Sequence, residues 1–344
     1  MRVLVTGNLG YIGTVLAQRL IRMGHEVQGL DIGYFADCIV GDRPADPPTW
    51  NVDIRDVESK HLDGIDAVVH LAGLSNDPLG ALNESLTDAI NRDGTLRLLD
   101  VARNAGVGRF VYASSQSMYG VAATDAELDE DDSVKNPVTA YARTKWEAEI
   151  VIREASSPSF TTVAFRPSTV FGLSPRQRCD IVFNNFVARA FTSGEVLILS
   201  DGTPWRPVIH VQDVCSAFEA GLFADPEIVS GRAFNVGIKD GNYTVRDLAD
   251  AAARSVPGAR VVTAASPSTD ERTYRVSFAS ILKELTPLYS PAWDLNKGGK
   301  ELVDGWTKAG LTSEQAFGPT CIRLERLREL QDQGQLDGDL RVVR

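Results

Sequence analysis

An α/β fold, a doubly wound parallel sheet carrying a smaller mixed α/β lobe, is what three features of this 344-residue sequence predict. Strand-like apolar runs alternate with helical stretches through the first half of the chain. The first thirty-one residues make a strand, a glycine turn, a helix and a second strand ending in an acid. Past residue 170 the pieces shorten, as expected of a second lobe. The boundaries read as 1–170 for the sheet domain, 171–330 for the lobe with late strands interleaved, and 331–344 for a polar, frayed tail.

Arg2-Val3-Leu4-Val5-Thr6 is a β-rich apolar run that reads as a buried strand, broken at Gly7-Asn8-Leu9-Gly10-Tyr11-Ile12-Gly13. Ile12, Leu16, Leu20, Ile21 and Met23 then recur mostly at helical spacing, and Gly24-His25 ends that helix. Glu26 to Leu30 forms the next strand, with Asp31 at its tip. Glycines let backbone approach a pyrophosphate, whose charge suits the free N–H groups and dipole at a helix N-terminus. A carboxylate at Asp31 can take both hydroxyls of an adenosine ribose and repels a 2′-phosphate. A lone glycine turn also serves plain strand-to-helix packing; the flanking strands and the acid make this one a dinucleotide site of Rossmann type, favouring NAD over NADP.

Further along, an Asp-, Pro- and Gly-rich loop (32–48) precedes a short strand ending near Asp53-Ile54. Strands are expected at 66–71 and 109–113, with a long helix at 83–104 between them. An acidic run at 125–132 reads as a solvated loop, 139–154 as a helix and 161–166 as a core strand. The lobe is expected to hold helices at 180–191, 211–223 and 245–254, with strands at 196–199 and 233–236. Right-handed crossovers put the chemistry on loops leaving the strands' carboxyl ends.

The composition, 43% hydrophobic and 24% charged, is that of a soluble globular protein long enough for one large core or two fused lobes. No apolar run reaches membrane-spanning length, and Met1 leads straight into a core strand, so no signal peptide is expected. Cys38, Cys179, Cys215 and Cys321 have no paired spacing and read as free thiols of a reducing, cytoplasmic compartment. A formal charge of −11 argues against nucleic acid and leaves room for a small anionic substrate. No metal site is expected.

Tyr141 and Lys145 lie four apart on one predicted helix, so their side chains share a face. An ammonium beside the phenol, with the positive nicotinamide ring, favours phenolate and lets tyrosine take a proton from an alcohol as hydride leaves. Ser115, at the carboxyl end of the 109–113 strand, could hydrogen-bond the reacting oxygen. Alone, a Tyr-x-x-x-Lys pair is common on helix surfaces; here it follows a dinucleotide unit and a Ser-Ser loop.

Thr6-Gly7-Asn8-Leu9-Gly10-Tyr11-Ile12-Gly13, Ala113-Ser114-Ser115-Gln116-Ser117-Met118-Tyr119-Gly120 and Tyr141-Ala142-Arg143-Thr144-Lys145 resemble the three signatures of the extended short-chain dehydrogenase/reductases, in the branch of nucleotide-sugar epimerases and dehydratases. Blocks at Asn91–Thr95, Arg166–Gly172, Arg206–Asp213 and Phe234–Gly237 extend the resemblance to about Arg275. It implies that Ser115, Tyr141 and Lys145 are the catalytic triad, with Tyr141 as acid/base. It assigns to NAD the residues Gly7, Gly10, Tyr11, Ile12, Gly13, Asp31, Asp53, Ile54, Leu71, Ala72, Gly73, Asn91, Tyr141, Lys145 and Pro167. Asn185, Arg206 and Arg272 match positions that grip the nucleotide diphosphate. His210 is expected to be structural, and the helices at 83–104 and 139–154 are where relatives pair, so a homodimer is implied.

The shared first step of that branch oxidises a sugar hydroxyl, usually at C4. Dehydratases need an acid pair just after the catalytic serine or threonine, where this chain has Gln116 and Ser117, and uronate decarboxylases carry a glutamate at the Ser117 position. Epimerisation is the simplest chemistry left. Arg176, with Thr169 and Ser117, falls where uronate 4-epimerases hold the C6 carboxylate, although Arg178 could be the true partner or both could be solvated. The expectation is a UDP-glucuronate 4-epimerase with a UDP-sugar substrate. UDP-glucose or UDP-N-acetylglucosamine epimerisation, or a 4-keto-sugar reductase or dehydratase of the same fold, are the alternatives.

Overall fold

Strands covered on both faces must be apolar on both faces, and runs such as Ala67-Val68-Val69 and Phe110-Val111-Tyr112 meet that demand. The computed structural model describes residues 1–75, 83–121, 126–264 and 273–343. It builds a seven-stranded sheet from β1 (Arg2–Thr6), β2 (Glu26–Asp31), β3 (Thr49–Asn51), β4 (Ala67–His70), β5 (Arg109–Ala113), β6 (Thr161–Pro167) and β7 (Arg232–Val236). The order is β7-β6-β5-β4-β1-β2-β3 with every pairing parallel. The strand order reverses beside β1, where an open α/β sheet forms its ligand crevice.

Along the chain the longer helices among the described residues are α1 (Tyr11–Arg22), α2 (Gly94–Asn104), α3 (Ala140–Glu154), α4 (Val182–Ser193), α5 (Val211–Phe223), α6 (Val245–Ser255), α7 (Leu295–Ala309) and α8 (Arg323–Asp332). Alternation within β1 sorts the layers: Val3 and Val5 pack with Leu16, Leu20, Val214 and Phe218 of α1 and α5. Leu4 faces the other way, toward Leu98, Leu99, Ala148 and Ile152 of α2 and α3. The lobe has its own core around Phe183, Val187, Leu248, Leu302 and Trp306. Among the described residues no helix is long and apolar enough to cross a membrane.

Three expectations change. The 83–104 stretch is not one helix: Glu84–Thr87 leads into a π-helical turn, Asp88–Asp93, before α2 begins. The acidic run is not wholly solvated, since Glu130 is buried and its carboxylate accepts from the Asn235 N–H at 2.7 Å; Asp125, also in that run, lies outside the described residues. The tail after Leu330 is not frayed. Leu336 and Leu340 are buried, the Tyr34 hydroxyl donates to the Leu340 carbonyl, and Arg55 Nη1 donates to the Asp339 carbonyl at 3.0 Å. Two leucines spaced among polar residues are a weak signal in sequence, yet they join the core on the Leu4 and Leu30 side of the sheet.

Candidate active site

The carboxyl ends of the central strands open on a cavity of about 380 Å³. The glycine turn forms its floor by close backbone approach. Gly7 has φ +71° and packs so tightly that a Cβ would sit 2.8 Å from the Ala72 nitrogen. A Cβ at Gly13 would meet the Gly7 carbonyl at 2.1 Å. Gly10 is the N-cap of α1 and supplies no side-chain cap, and the first turn carries no acid. The first N–H groups of α1 therefore lack intrahelical partners and face an anion site. Gly13→Ala is expected to lower stability by about 1–3 kcal/mol, because backbone rather than a flexible side chain must yield. Chemical denaturation checks this, and an unchanged midpoint would mean that the turn relaxes freely.

Asp31 accepts from the N–H of Leu9 at 3.0 Å and of Gly33 at 2.8 Å, which fixes its carboxylate at the cavity wall. Burial pushes its pKa up while those two N–H groups pull it back. Asp53, held by Arg55, lines the same cavity with Ile54, Leu71, Ala72 and Gly73. Arg341 reaches Asp53 at 3.3 Å, so the C-terminal chain braces this wall. Gly10, Tyr11, Ile12, Pro167, Ser117, Thr169 and Arg206 also line the cavity. The Tyr11 hydroxyl donates to the Gly172 carbonyl at 2.7 Å.

Thr139 caps α3, and one helical turn sets Tyr141 and Lys145 together in the cavity wall beside Ser115. Lys145 is fully enclosed: Nζ donates to the Ala113 carbonyl at 2.8 Å and lies 4.9 Å from the Tyr112 ring centre. Burial pulls its pKa down to about 8. Ser115 Oγ shares a 2.7 Å hydrogen bond with Ser117 Oγ and accepts the Ser117 N–H at 3.2 Å. His70 behind the site is bonded on both sides, to Thr6 and Thr95 hydroxyls, and burial keeps it neutral.

Three assigned residues fall elsewhere. Arg176 is corrected: it is fully buried away from the cavity, its guanidinium held by both oxygens of Asp46 at 2.7 Å and donating to Thr14 Oγ1 at 2.8 Å. Arg178 lines the cavity instead, paired with both oxygens of Asp180 at 2.8 and 3.1 Å and donating to Ser75 Oγ at 2.9 Å. Asn185 is also corrected, since its amide bonds the Cys179 carbonyl and Arg189 on α4 and does not line the cavity. Asn91, inside the π-helical turn, does not line it either; it bonds both the N–H and the carbonyl of Leu74, holding the loop after β4. Arg272 lies outside the described residues. His210 stacks on Trp293 with ring centres 4.0 Å apart and bonds Glu301 at 2.8 Å. Sequence reasoning missed Phe35, Tyr274 and Arg323 in the wall. Arg323 carries no local signal, because it sits in a charged helical stretch like many others.

Fold and cavity together define a dinucleotide-dependent enzyme of the short-chain dehydrogenase/reductase type. The chain belongs to the NAD dependent epimerase/dehydratase family, whose sequence model matches residues 3–237. It is 29% identical over 270 residues to a UDP-glucose 4-epimerase of Corynebacterium glutamicum, covering 73% of this chain and 79% of that protein. Its fold resembles MoeE5 solved with UDP-glucuronic acid and NAD, at 27% identity and a TM-score of 0.76, covering 90% of this chain and all of the other. A UDP-glucuronic acid 4-epimerase from Bacillus cereus shares the fold at 23% identity and a TM-score of 0.73, covering 90% of this chain and 99% of that one.

Proposed function

We propose that this chain is an NAD-dependent nucleotide-sugar 4-epimerase whose substrate is UDP-glucuronate. One observation carries the choice of epimerisation. Among the described residues lining the cavity the acids are Asp31 and Asp53, both on the dinucleotide's adenosine side, and neither position after Ser115 supplies another. Gln116 is buried and spent on the Arg166 carbonyl at 2.9 Å, and Ser117 is a hydroxyl. Elimination of water from a 4-keto sugar needs an acid at the reacting centre; return of hydrogen to C4 does not.

The glycine turn, the open α1 N-terminus and Asp31 fit a bound NAD, which supplies the hydride acceptor and donor. Tyr141 takes the proton from the C4 hydroxyl and gives it back to the ketone oxygen. Lys145 favours the phenolate by charge, and the Ser115 hydroxyl hydrogen-bonds the reacting oxygen. Inversion follows when the ketone presents its other face before hydrogen is returned to C4.

Arg178 supports a uronate. It keeps two N–H groups beyond those given to Asp180 and Ser75. A guanidinium that fixes the C6 carboxylate also keeps a β-keto acid from losing CO₂, because decarboxylation needs that group free to rotate out of plane. Incubation with UDP-glucuronate and no added cofactor should yield a UDP-hexuronate of unchanged mass without net NADH. A product lighter by CO₂, or turnover of UDP-glucose alone, overturns the assignment. Arg178→Met should raise KM for UDP-glucuronate about tenfold or more and leave that for UDP-glucose within about threefold. Arg176→Met should move neither; a KM effect there would return the role to Arg176.

A further inference from the structure

Arg323 begins α8 and is 1% exposed, yet it stands in the wall of the cavity. Its guanidinium lies over the Phe35 ring at 4.5 Å, and Nη2 donates to the Arg176 carbonyl at 2.8 Å. Nη1 is buried and makes no hydrogen bond among the described residues. The other buried arginines each hold a carboxylate: Arg166 holds Glu149, Arg176 holds Asp46 and Arg178 holds Asp180. Asp180 accepts from the Arg323 backbone N–H at 3.4 Å, while its two carboxylate oxygens hold the Arg178 guanidinium. Among the described residues, Arg323 is the one buried arginine whose guanidinium holds no side-chain carboxylate, although Asp31 in the same wall feels its charge. Desolvation pulls the Arg323 pKa below its usual value, outweighing the nearby Asp180 carboxylate that raises it.

A buried, unpaired cation beside a cavity implies an anion that arrives with the ligand. A dinucleotide offers two candidate phosphate positions, the diphosphate and, in the phosphorylated form, the ribose 2′ position. A carboxylate on the cavity wall at Asp31 disfavours the second. Arg323 feels Asp31 but also connects to the start of α1, where the diphosphate would lie. The Arg176 carbonyl it bonds belongs to the residue whose Nη1 holds Thr14 in the first turn of α1, and Ser174 Oγ donates to the Tyr11 carbonyl at 2.8 Å. We propose that Arg323 is a cofactor-binding residue whose free Nη1 donates to the diphosphate of the bound dinucleotide. The C-terminal helix then completes a site whose glycine floor is made by the first thirteen residues.

The inference rests on the NAD reading above, and calorimetry on nucleotide-free protein separates the two. Wild type should bind NAD and ADP; failure to bind either sinks the NAD reading itself. Arg323→Met should weaken NAD and ADP by about 10- to 100-fold, the range of a charged hydrogen bond, with adenosine unchanged within about threefold. Equal affinity of wild type and variant for ADP overturns the proposal. So does a loss that includes adenosine, which would mean that Arg323 only props Phe35, and so does a loss confined to NADP, which would move the guanidinium to the 2′ corner. If the methionine variant fails to fold, Lys and Gln at 323 give the same comparison. ADP affinity should fall from Arg to Lys to Gln while adenosine stays level, and a level ADP series overturns the assignment.

Discussion

Tyr141→Phe is expected to lower kcat by about 10²–10⁴-fold while leaving the dissociation constants for NAD and the nucleotide sugar within about threefold. The substitution removes one oxygen from a wall whose other parts stay in place. Tyr141 is set by α3, and α3 is anchored from behind by the Glu149–Arg166 pair at 2.6 Å, which is wholly enclosed and shared with the Tyr119 hydroxyl at 2.9 Å. Nothing in that anchor depends on the phenol oxygen. The loss should therefore appear in the proton-transfer step and not in binding. Single-turnover measurement of the 4-keto intermediate, with calorimetric binding alongside, distinguishes these. A tenfold or smaller fall in kcat would give the acid/base role to another group, with the Ser115 hydroxyl first in line.

Much of this arrangement was legible because it rests on local signals. Strand β1, the glycine turn, α1 and Asp31 are contiguous, and each has a residue type that its backbone demands. Strand β7 was expected at 233–236 and is found there, although only the structure seats it beside β6 in the main sheet. What failed to be read depends on partners distant in sequence or on a register of one residue. Arg176 and Arg178 have the same chemistry two residues apart; Asp46, in a loop with no regular pattern, captures the first and leaves the second at the cavity. The amide pair at 184–185 divides likewise: Asn184 is fully buried and bonds the Gly172 N–H and the Arg178 carbonyl, while Asn185 turns to Arg189. The π-helical turn at Asp88–Asp93 has no compositional mark, and helical spacing alone reads straight through it. Arg323 touches Phe35 only because the last helix folds back over the first domain.

Lys145→Met should abolish measurable turnover and yet make the nucleotide-free protein more stable at pH 7, by about 1–3 kcal/mol. Burial lowers the Lys145 pKa from 10.5 to about 8, which corresponds to about 3 kcal/mol against the charged form. Loss of the hydrogen bond to the Ala113 carbonyl takes back about 1 kcal/mol. The pH dependence fixes the sign. Below about pH 8 both folded and unfolded chains carry the proton, so the full cost of the buried charge is present. Between about 8 and about 10 the folded protein releases that proton while the unfolded chain keeps it. Wild-type stability therefore gains a rising contribution from this residue across that window, and the methionine variant lacks it. Urea denaturation at pH 7 and at about pH 9.5 reads both parts. The variant's advantage should be largest at pH 7 and shrink at the higher pH. A variant less stable at pH 7, or an advantage that grows with pH, would show that the cavity stabilises the ammonium. Burial without a carboxylate partner argues the reverse: the fold holds a charge it would be more stable without, beside the phenol that has a use for it.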